Sequence, residues 1–289
     1  VALYKDTYQP LLMEVLTAPS PDAYNKEPGE TDEDYALRQF EAMDKLLAEK
    51  HDEICAVVVE PLIQCAGGMR MHHPVYHTKL REACDRYGVH LIADEIAVGF
   101  GRTGTLFACE QSGITPDFMC LSKGLTAGYL PLSVVLTTDT VYNAFYDDYE
   151  TMRAFLHSHS YTGNPIGCAV ALATLDIFRD ENVIENNRQL SRCMAESVAH
   201  LADHPNVGDI RQHGMTMAIE MVKDKASKTP FPWQERRGIR VYKHSLTRQA
   251  LLRPLGNVLY FMPPYVITEE QIRHLAQVAT EGIEIAVKG

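Results

Sequence analysis

Val89-His90-Leu91-Ile92-Ala93-Asp94-Glu95 and, 29 residues on, Phe118-Met119-Cys120-Leu121-Ser122-Lys123-Gly124 share one pattern, a short apolar run that ends on charge. Such runs are too short for helices and suit strands buried on both faces of a parallel sheet. Working outward, Ile54-Cys55-Ala56-Val57-Val58-Val59 is another run of this kind, and Ser133-Val134-Val135-Leu136 is a fourth. A helical span at about 74–87 separates the runs at 54–59 and 89–93. Before them, Tyr35, Leu37, Phe40, Met43, Leu46 and Leu47 recur at helical spacing over about 33–50. Strands alternating with helices predict an α/β fold with a mostly parallel sheet. The first 35 residues, rich in Pro, Tyr and acidic side chains, read as loop.

The pattern changes after a helix at about 164–180. From about 185 the chain reads helix, short strands around 207–222, a loop over 223–234, a helix at 236–250, a strand at 258–262 and a helix at 268–287. Thr268 with Gln271 opens that last helix as a capping box. We expect a large domain over residues 1–182 and a smaller C-terminal α+β domain over residues 183–289.

With 46% apolar and 22% charged residues, the 289-residue composition excludes disorder, collagen and coiled coil. No apolar run approaches the roughly 20 residues that span a bilayer, so no membrane is expected. Lys plus Arg number 27 against 38 Asp plus Glu, a formal charge of −11, which argues against nucleic acid as a partner. No signal peptide is recognisable, and the seven cysteines are odd in number without a CxxC pair. Free thiols in a reducing cytoplasm are expected. The sequence opens on Val1, which raises the expectation of a portion of a longer chain.

Several segments could carry chemistry. Asp94-Glu95 closes an apolar strand, where ligands bind in α/β sheets; a solvated strand end is the alternative. Lys123, at the end of another strand and followed by Gly124, Ala127 and Gly128, is placed where desolvation makes an amine nucleophilic; a solvated lysine is the alternative. An acid and a lysine ending two strands of one sheet suit pyridoxal phosphate, whose aldehyde needs a lysine and whose ring nitrogen needs an acid. Gly99-Phe100-Gly101-Arg102-Thr103-Gly104 lacks the context of a nucleotide loop and reads as a tight turn. The hydroxyl-rich His157–Pro165 segment leads into a helix start and suits a phosphate. Metal is not expected there or at His72, His73 and His77. Arg253 before Pro254, near Tyr260, suits a carboxylate, with a surface arginine as the alternative.

Taken together, Val59-Glu60-Pro61, Ala93-Asp94-Glu95-Ile96 through Gly104, and Leu121-Ser122-Lys123-Gly124-Leu125-Thr126-Ala127-Gly128 are similar to the class III pyridoxal-phosphate aminotransferases. The resemblance covers the whole chain and implies the fold type I of pyridoxal-phosphate transferases. Gln64–Met71, Leu106–Glu110, Ala144–Tyr149, Arg253–Asn257 and Ala97 most resemble the branch of that family acting in biotin biosynthesis. That implies 8-amino-7-oxononanoate as acceptor and S-adenosylmethionine, or lysine, as donor. Another ω-amino acid or diamine aminotransferase is the alternative. The resemblance also implies roles. Lys123 carries the cofactor and shuttles a proton, Asp94 pairs with the ring nitrogen, and Ile96 packs on the ring. Ser160 reaches the phosphate of the neighbouring subunit in a homodimer, while Arg253 binds the acceptor carboxylate in a pocket lined by Tyr260. Glu60 matches an acid near the site, with its role open. Family members also carry a Gly-Ser phosphate loop and a stacking aromatic further toward the N-terminus, and neither is found here.

Overall fold

The structure, a computed structural model, describes residues 2–288. Residues 1–35 are not all loop as expected: α1 occupies Ala2–Tyr8, and 3-10 turns follow at Gln9–Leu11 and Ala23–Asn25. The span 2–8 holds no Gly or Pro, and Pro10 lies just beyond, where a helix ends. α2 (Asp32–Lys50) starts where the Thr31 hydroxyl accepts the Asp34 N–H, and three acids favour the positive helix end. β1 (Ala56–Val59) leads to a small antiparallel hairpin, β2 (Ile63–Gln64) with β3 (Arg70–Met71). α3 (Pro74–Tyr87) ends on Gly88, whose φ of 67° is left-handed. β4 (His90–Asp94), β5 (Phe118–Leu121) and β6 (Val134–Thr137) complete a four-stranded sheet in the order β1-β4-β5-β6.

The β1–β4 and β4–β5 pairs are parallel, as expected, whereas β6 runs antiparallel to β5. A parallel neighbour needs a crossover, usually helical. Residues 122–133 offer only the 3-10 turn Lys123–Thr126. The expectation of burial on both faces also fails. Val57, Val59, Leu91, Ala93 and Met119 pack under α2 and α3, but on the opposite face Val58 is 65% and Val135 60% exposed. The apolar runs fit two covered faces, and the described residues cover one.

α4 (Asp139–Asn143) and α5 (Pro165–Asp180) follow, and Ala171 of α5 packs with Phe100, Leu121 and Leu125. α6 (Val183–Val198) leads to an antiparallel sheet of β7 (Val207–His213), β8 (Thr216–Asp224), β9 (Thr229–Pro230), β10 (Pro254–Leu255) and β11 (Val258–Phe261). α7 (Arg237–Thr247) lies between β9 and β10, and α8 (Glu269–Val287) closes the chain on its Thr268 capping box. Met194, Met217, Ile219, Met221, Leu259 and Ile283 form the core of this part.

A fourth cluster packs the β2–β3 hairpin and the chain after β4 against the antiparallel sheet: Leu62, Ile63, Cys65, Met69, Val98 and Ala108 meet Ala218 and Val258. Gly214, at φ 52°, brings the β7–β8 turn so close that a Cβ would lie 2.5 Å from the Thr103 carbonyl carbon.

Two histidines sit in this junction without charge. His72 is 4% exposed with both ring nitrogens unpartnered, and His77 accepts the Leu62 N–H at 3.0 Å. Burial lowers His72 to about 4 and His77 to about 3, from 6.5. Unfolded histidines bind protons first as pH falls. Stability is therefore full above about 6.5 and drains at roughly 1.4 kcal/mol per pH unit per histidine toward the folded values. Denaturant melts at pH 7.5 and pH 5 should show that His72→Leu removes about 2 kcal/mol of the acid destabilisation. An undiminished loss in the variant would clear His72 of the effect.

Candidate active site

Pairing of Val59 with Ala93 and of Asp94 with Cys120 aligns the carboxyl ends of β1, β4 and β5. Neighbouring strands lie about 4.8 Å apart and in-register residues of a sheet share a face. Glu60, one step past Val59, thus stands beside Asp94, and the chain leaving β5 reaches Lys123 at the same edge.

The two acids at the end of β4 have different surroundings. Half-buried Asp94 accepts the Ile96 N–H at 3.1 Å. Glu95 is fully buried, accepts the N–H groups of Ala108 at 3.0 Å and Cys109 at 2.8 Å, and burial pushes its carboxyl up. It pins the Ala108–Ser112 turn, a structural task.

Beyond β5, Ser122 donates to the Leu132 carbonyl at 2.7 Å and Lys123 opens the 3-10 turn at φ 43°. A lysine in left-handed backbone is strained, a feature that concentrates at functional sites. Gly124 is required there because a Cβ would meet that of Phe100 at 2.9 Å. The Lys123 side chain is exposed, and among the described residues its amine has no hydrogen-bond or ion-pair partner.

Glu60 accepts the Cys65 N–H at 3.0 Å. Burial pushes its carboxyl up and Asp94 adds to this, while the Cys65 N–H and Lys123 pull it down. Burial, then Glu60, raises the Cys65 thiol to about 12, against Lys123 and Arg102. Asp94 and Lys123 thus act on Glu60, and Glu60, Lys123, Arg102 and Asp94 act on Cys65.

Sequence reasoning left Arg102 inside a tight turn, with its own side chain unremarked. Its Nη1 donates to the Pro263 carbonyl at 2.8 Å and its guanidinium lies 4.6 Å from the Tyr265 ring centroid. The Tyr265 hydroxyl in turn donates to the Phe100 carbonyl at 2.7 Å. Arg102 has no carboxylate partner among the described residues, and burial lowers its pKa. A desolvated, unpaired guanidinium attracts anions. An arginine flanked by Gly101 and Gly104 was the only signal in the sequence. Cys65 was missed because a thiol inside an apolar stretch carries no signal of its own.

Half-buried Tyr260, on β11, packs in the cluster of Leu62, Ile63 and Cys65. Ile96 is half-buried directly after Asp94. Ser160 and Arg253 are exposed, and among the described residues no hydrogen bond or ion pair ties either to Asp94 or Lys123. The described residues contain no group of three His, Cys, Asp or Glu able to hold a metal. No helix of the described residues is long and apolar enough to cross a membrane. An unpartnered amine, a carboxylate one strand away and an adjacent isoleucine are the donor set that an aldehyde-bearing, flat, cationic ring requires, so these residues fit pyridoxal phosphate.

Comparison with known proteins gives the family. Residues 1–282 match the family Aminotransferase class-III. The adenosylmethionine-8-amino-7-oxononanoate aminotransferase of Geobacter sulfurreducens is 42% identical over 290 residues, covering 100% of this chain and 64% of that protein. The Helicobacter pylori protein of the same name is 44% identical, covering 100% of this chain and 63% of its own length. The crystal structure of adenosylmethionine-8-amino-7-oxononanoate aminotransferase from Methanocaldococcus jannaschii superposes with a TM-score of 0.89 at 36% identity, covering 98% of this chain and 62% of that one. The chain therefore spans a little under two thirds of the length of these relatives. With a family match over residues 1–282 and relatives at 42–44% identity over the whole chain, this chain belongs to the class III aminotransferases.

Proposed function

We propose that this chain serves a pyridoxal-phosphate-dependent amino transfer that converts 8-amino-7-oxononanoate to 7,8-diaminononanoate in biotin biosynthesis. The observation that carries the reading is the unpartnered Lys123 amine at the β5 end, across from Asp94 on β4. When bound, pyridoxal phosphate supplies an aldehyde that receives an amine and a ring that takes up the electron pair left by a departing proton. Lys123 would hold the cofactor covalently, and its amine would move a proton to or from the substrate carbon. The Asp94 carboxylate, fixed by the Ile96 N–H, keeps the ring nitrogen protonated. Ile96 presents an apolar wall to the ring.

Arg253 binds the carboxylate of the acceptor and Tyr260 lines that pocket. Ser160, on its exposed segment, reaches the phosphate held by a second copy in a cytoplasmic homodimer. Residues 1–182 form the cofactor-binding portion and residues 183–289 the small domain. S-adenosylmethionine is the proposed donor and lysine its competitor, and a donor screen with the oxononanoate acceptor separates them. Turnover of other ω-amino acids or diamines, without turnover of the oxononanoate, would place the chain in another branch of the family.

Borohydride reduction with pyridoxal phosphate present, followed by peptide mapping, should place the pyridoxyl group on Lys123, and a label on another lysine would refute the assignment. Lys123→Ala should bind the cofactor only reversibly and lose transamination.

Asp94→Asn keeps the shape and removes the charge. Turnover should collapse while the thermal melt stays near wild type. Unchanged turnover would remove Asp94 from the site.

For Arg253→Ala, losing a charged hydrogen bond of about 1.5–3 kcal/mol should weaken the oxononanoate half-reaction roughly 10- to 150-fold. The donor half-reaction should change far less. Single-turnover kinetics of each half decide this, and equal losses would end the acceptor-specific role.

A further inference from the structure

Two left-handed residues lie close together at the end of β5. Phe100, 3% exposed, has φ 56°, and Lys123 has φ 43°. Such backbone, in a residue with a side chain, persists only where its surroundings over-determine it. The two segments touch. A Cβ on Gly124, next to Lys123, would lie 2.9 Å from the Phe100 Cβ and 3.0 Å from its ring. The Phe100 side chain also shares a buried cluster with Leu121 and Leu125, which flank the lysine. Within the turn, the Leu125 N–H donates to the Ser122 carbonyl at 3.0 Å and the Ala127 N–H to the Gly124 carbonyl at 3.0 Å. The Gly128 N–H donates to the Lys123 carbonyl at 3.2 Å. Those bonds fix the shape of the turn but not its place against the rest of the protein.

What holds Phe100 comes from the far end of the chain. The Tyr265 hydroxyl donates to the Phe100 carbonyl at 2.7 Å, and no other donor reaches that carbonyl among the described residues. Because Phe100 is buried, loss of this donor leaves an unsatisfied acceptor, which costs more than losing an exposed bond. Tyr265 is itself gripped. The Arg102 guanidinium lies 4.6 Å from its ring centroid, and the Phe178 ring meets it edge-on at 6.4 Å. Arg102 Nη1 donates to the Pro263 carbonyl at 2.8 Å, two residues before Tyr265. The segment after β11 thus fixes the carbonyl of a residue whose side chain abuts the Lys123 turn.

We propose that Tyr265 is a positioning residue for Lys123: its hydroxyl locks Phe100 in left-handed backbone, and Phe100 holds the turn that carries the lysine. Without the hydroxyl, Phe100 is free to leave its left-handed conformation and the turn loses its support on that side. The lysine then samples more backbone conformations. An amine that must meet an aldehyde in one orientation works best from a backbone with one conformation. Tyr265 therefore acts on the chemistry through Phe100 and Lys123. The functional meaning rests on the reading of Lys123 as the cofactor-bearing residue, but the mechanical coupling does not.

The test uses the full chain without cofactor and reads hydrogen exchange amide by amide. Tyr265→Phe keeps the ring and removes the hydroxyl. The Leu125, Ala127 and Gly128 amides exchange when the turn opens locally. Their rates should rise about tenfold, the equivalent of about 1.4 kcal/mol. Thr31→Ala is the control. It removes the cap of α2, at a cost of about 1 kcal/mol, and should leave those three amides unchanged. Equal acceleration in both variants would mean a general loss of stability and would overturn the proposal. Turn amides that keep wild-type rates in Tyr265→Phe would overturn it too. Gly124→Ala presses a Cβ against Phe100 and tests the second contact. It should also speed the three amides. The double variant should then exchange more slowly than the product of the two single effects, because a freed Phe100 gives way. A double effect equal to that product overturns the link through Phe100. If Gly124→Ala does not fold, the comparison of Tyr265→Phe with Thr31→Ala decides alone. Pyridoxal phosphate labelling in a separate arm tests the reading of Lys123: a label elsewhere sinks that reading and leaves the coupling standing.

Discussion

Parallel pairing of β1, β4 and β5 in a fixed register is the constraint on which the rest depends. A slip of one residue would turn Asp94 toward α2 and α3 and bring Ala93 to the open face. The buried row Val57, Val59, Leu91, Ala93 and Met119 forbids that slip, because it would drive the Asp94 carboxyl into an apolar core. The hydrophobic effect on one face thus places the charged groups on the other.

That edge has to be held against the second sheet, and the means is electrostatic as well as apolar. Arg211 and Glu220, each with a side chain only 10% exposed, pair at 2.8 Å, and Arg70 pairs with Glu220 at 3.2 Å. The Tyr24 ring lies 4.2 Å from the Arg70 guanidinium and 4.5 Å from the Lys228 amine. Buried ion pairs add little net stability, since desolvation offsets attraction, but removing one partner is costly. Their contribution here is geometric. Arg211 spends two further donors on the carbonyls of the Cys65–Met69 turn, tying the position of Glu60 to β7.

Much of this was legible in the sequence where local chemistry and tertiary structure agree. The capping box at Thr268 and Asn164-Pro165 opening α5 are signals read within a few residues, and each helix lies where they put it. The direction of β6 and the coverage of the sheet were not legible. Ser133–Leu136 looks like its neighbours, yet pairing antiparallel depends on the short connection from β5. Val58 looks as apolar as Val57, yet whether a helix lies over it is decided far away in sequence. The site split the same way. Asp94 and Lys123 stand at strand ends, and strand ends can be read. Glu60, Cys65 and Arg102 gather through the packing of the second sheet against Leu62 and Ile63, which no periodicity encodes.

The open sheet face links these points. It carries exposed Val58 and Val135 together with Glu60 and Asp94, so apolar surface and two acids share one uncovered side. A flat aromatic ring laid at the strand ends would remove water from the acids as it covers apolar carbon. Desolvation by itself raises carboxyls and favours their neutral forms, and a cationic ring nitrogen beside one of them reverses this for that one alone. Lys123, in left-handed backbone at φ 43°, ends the same edge with its side chain exposed.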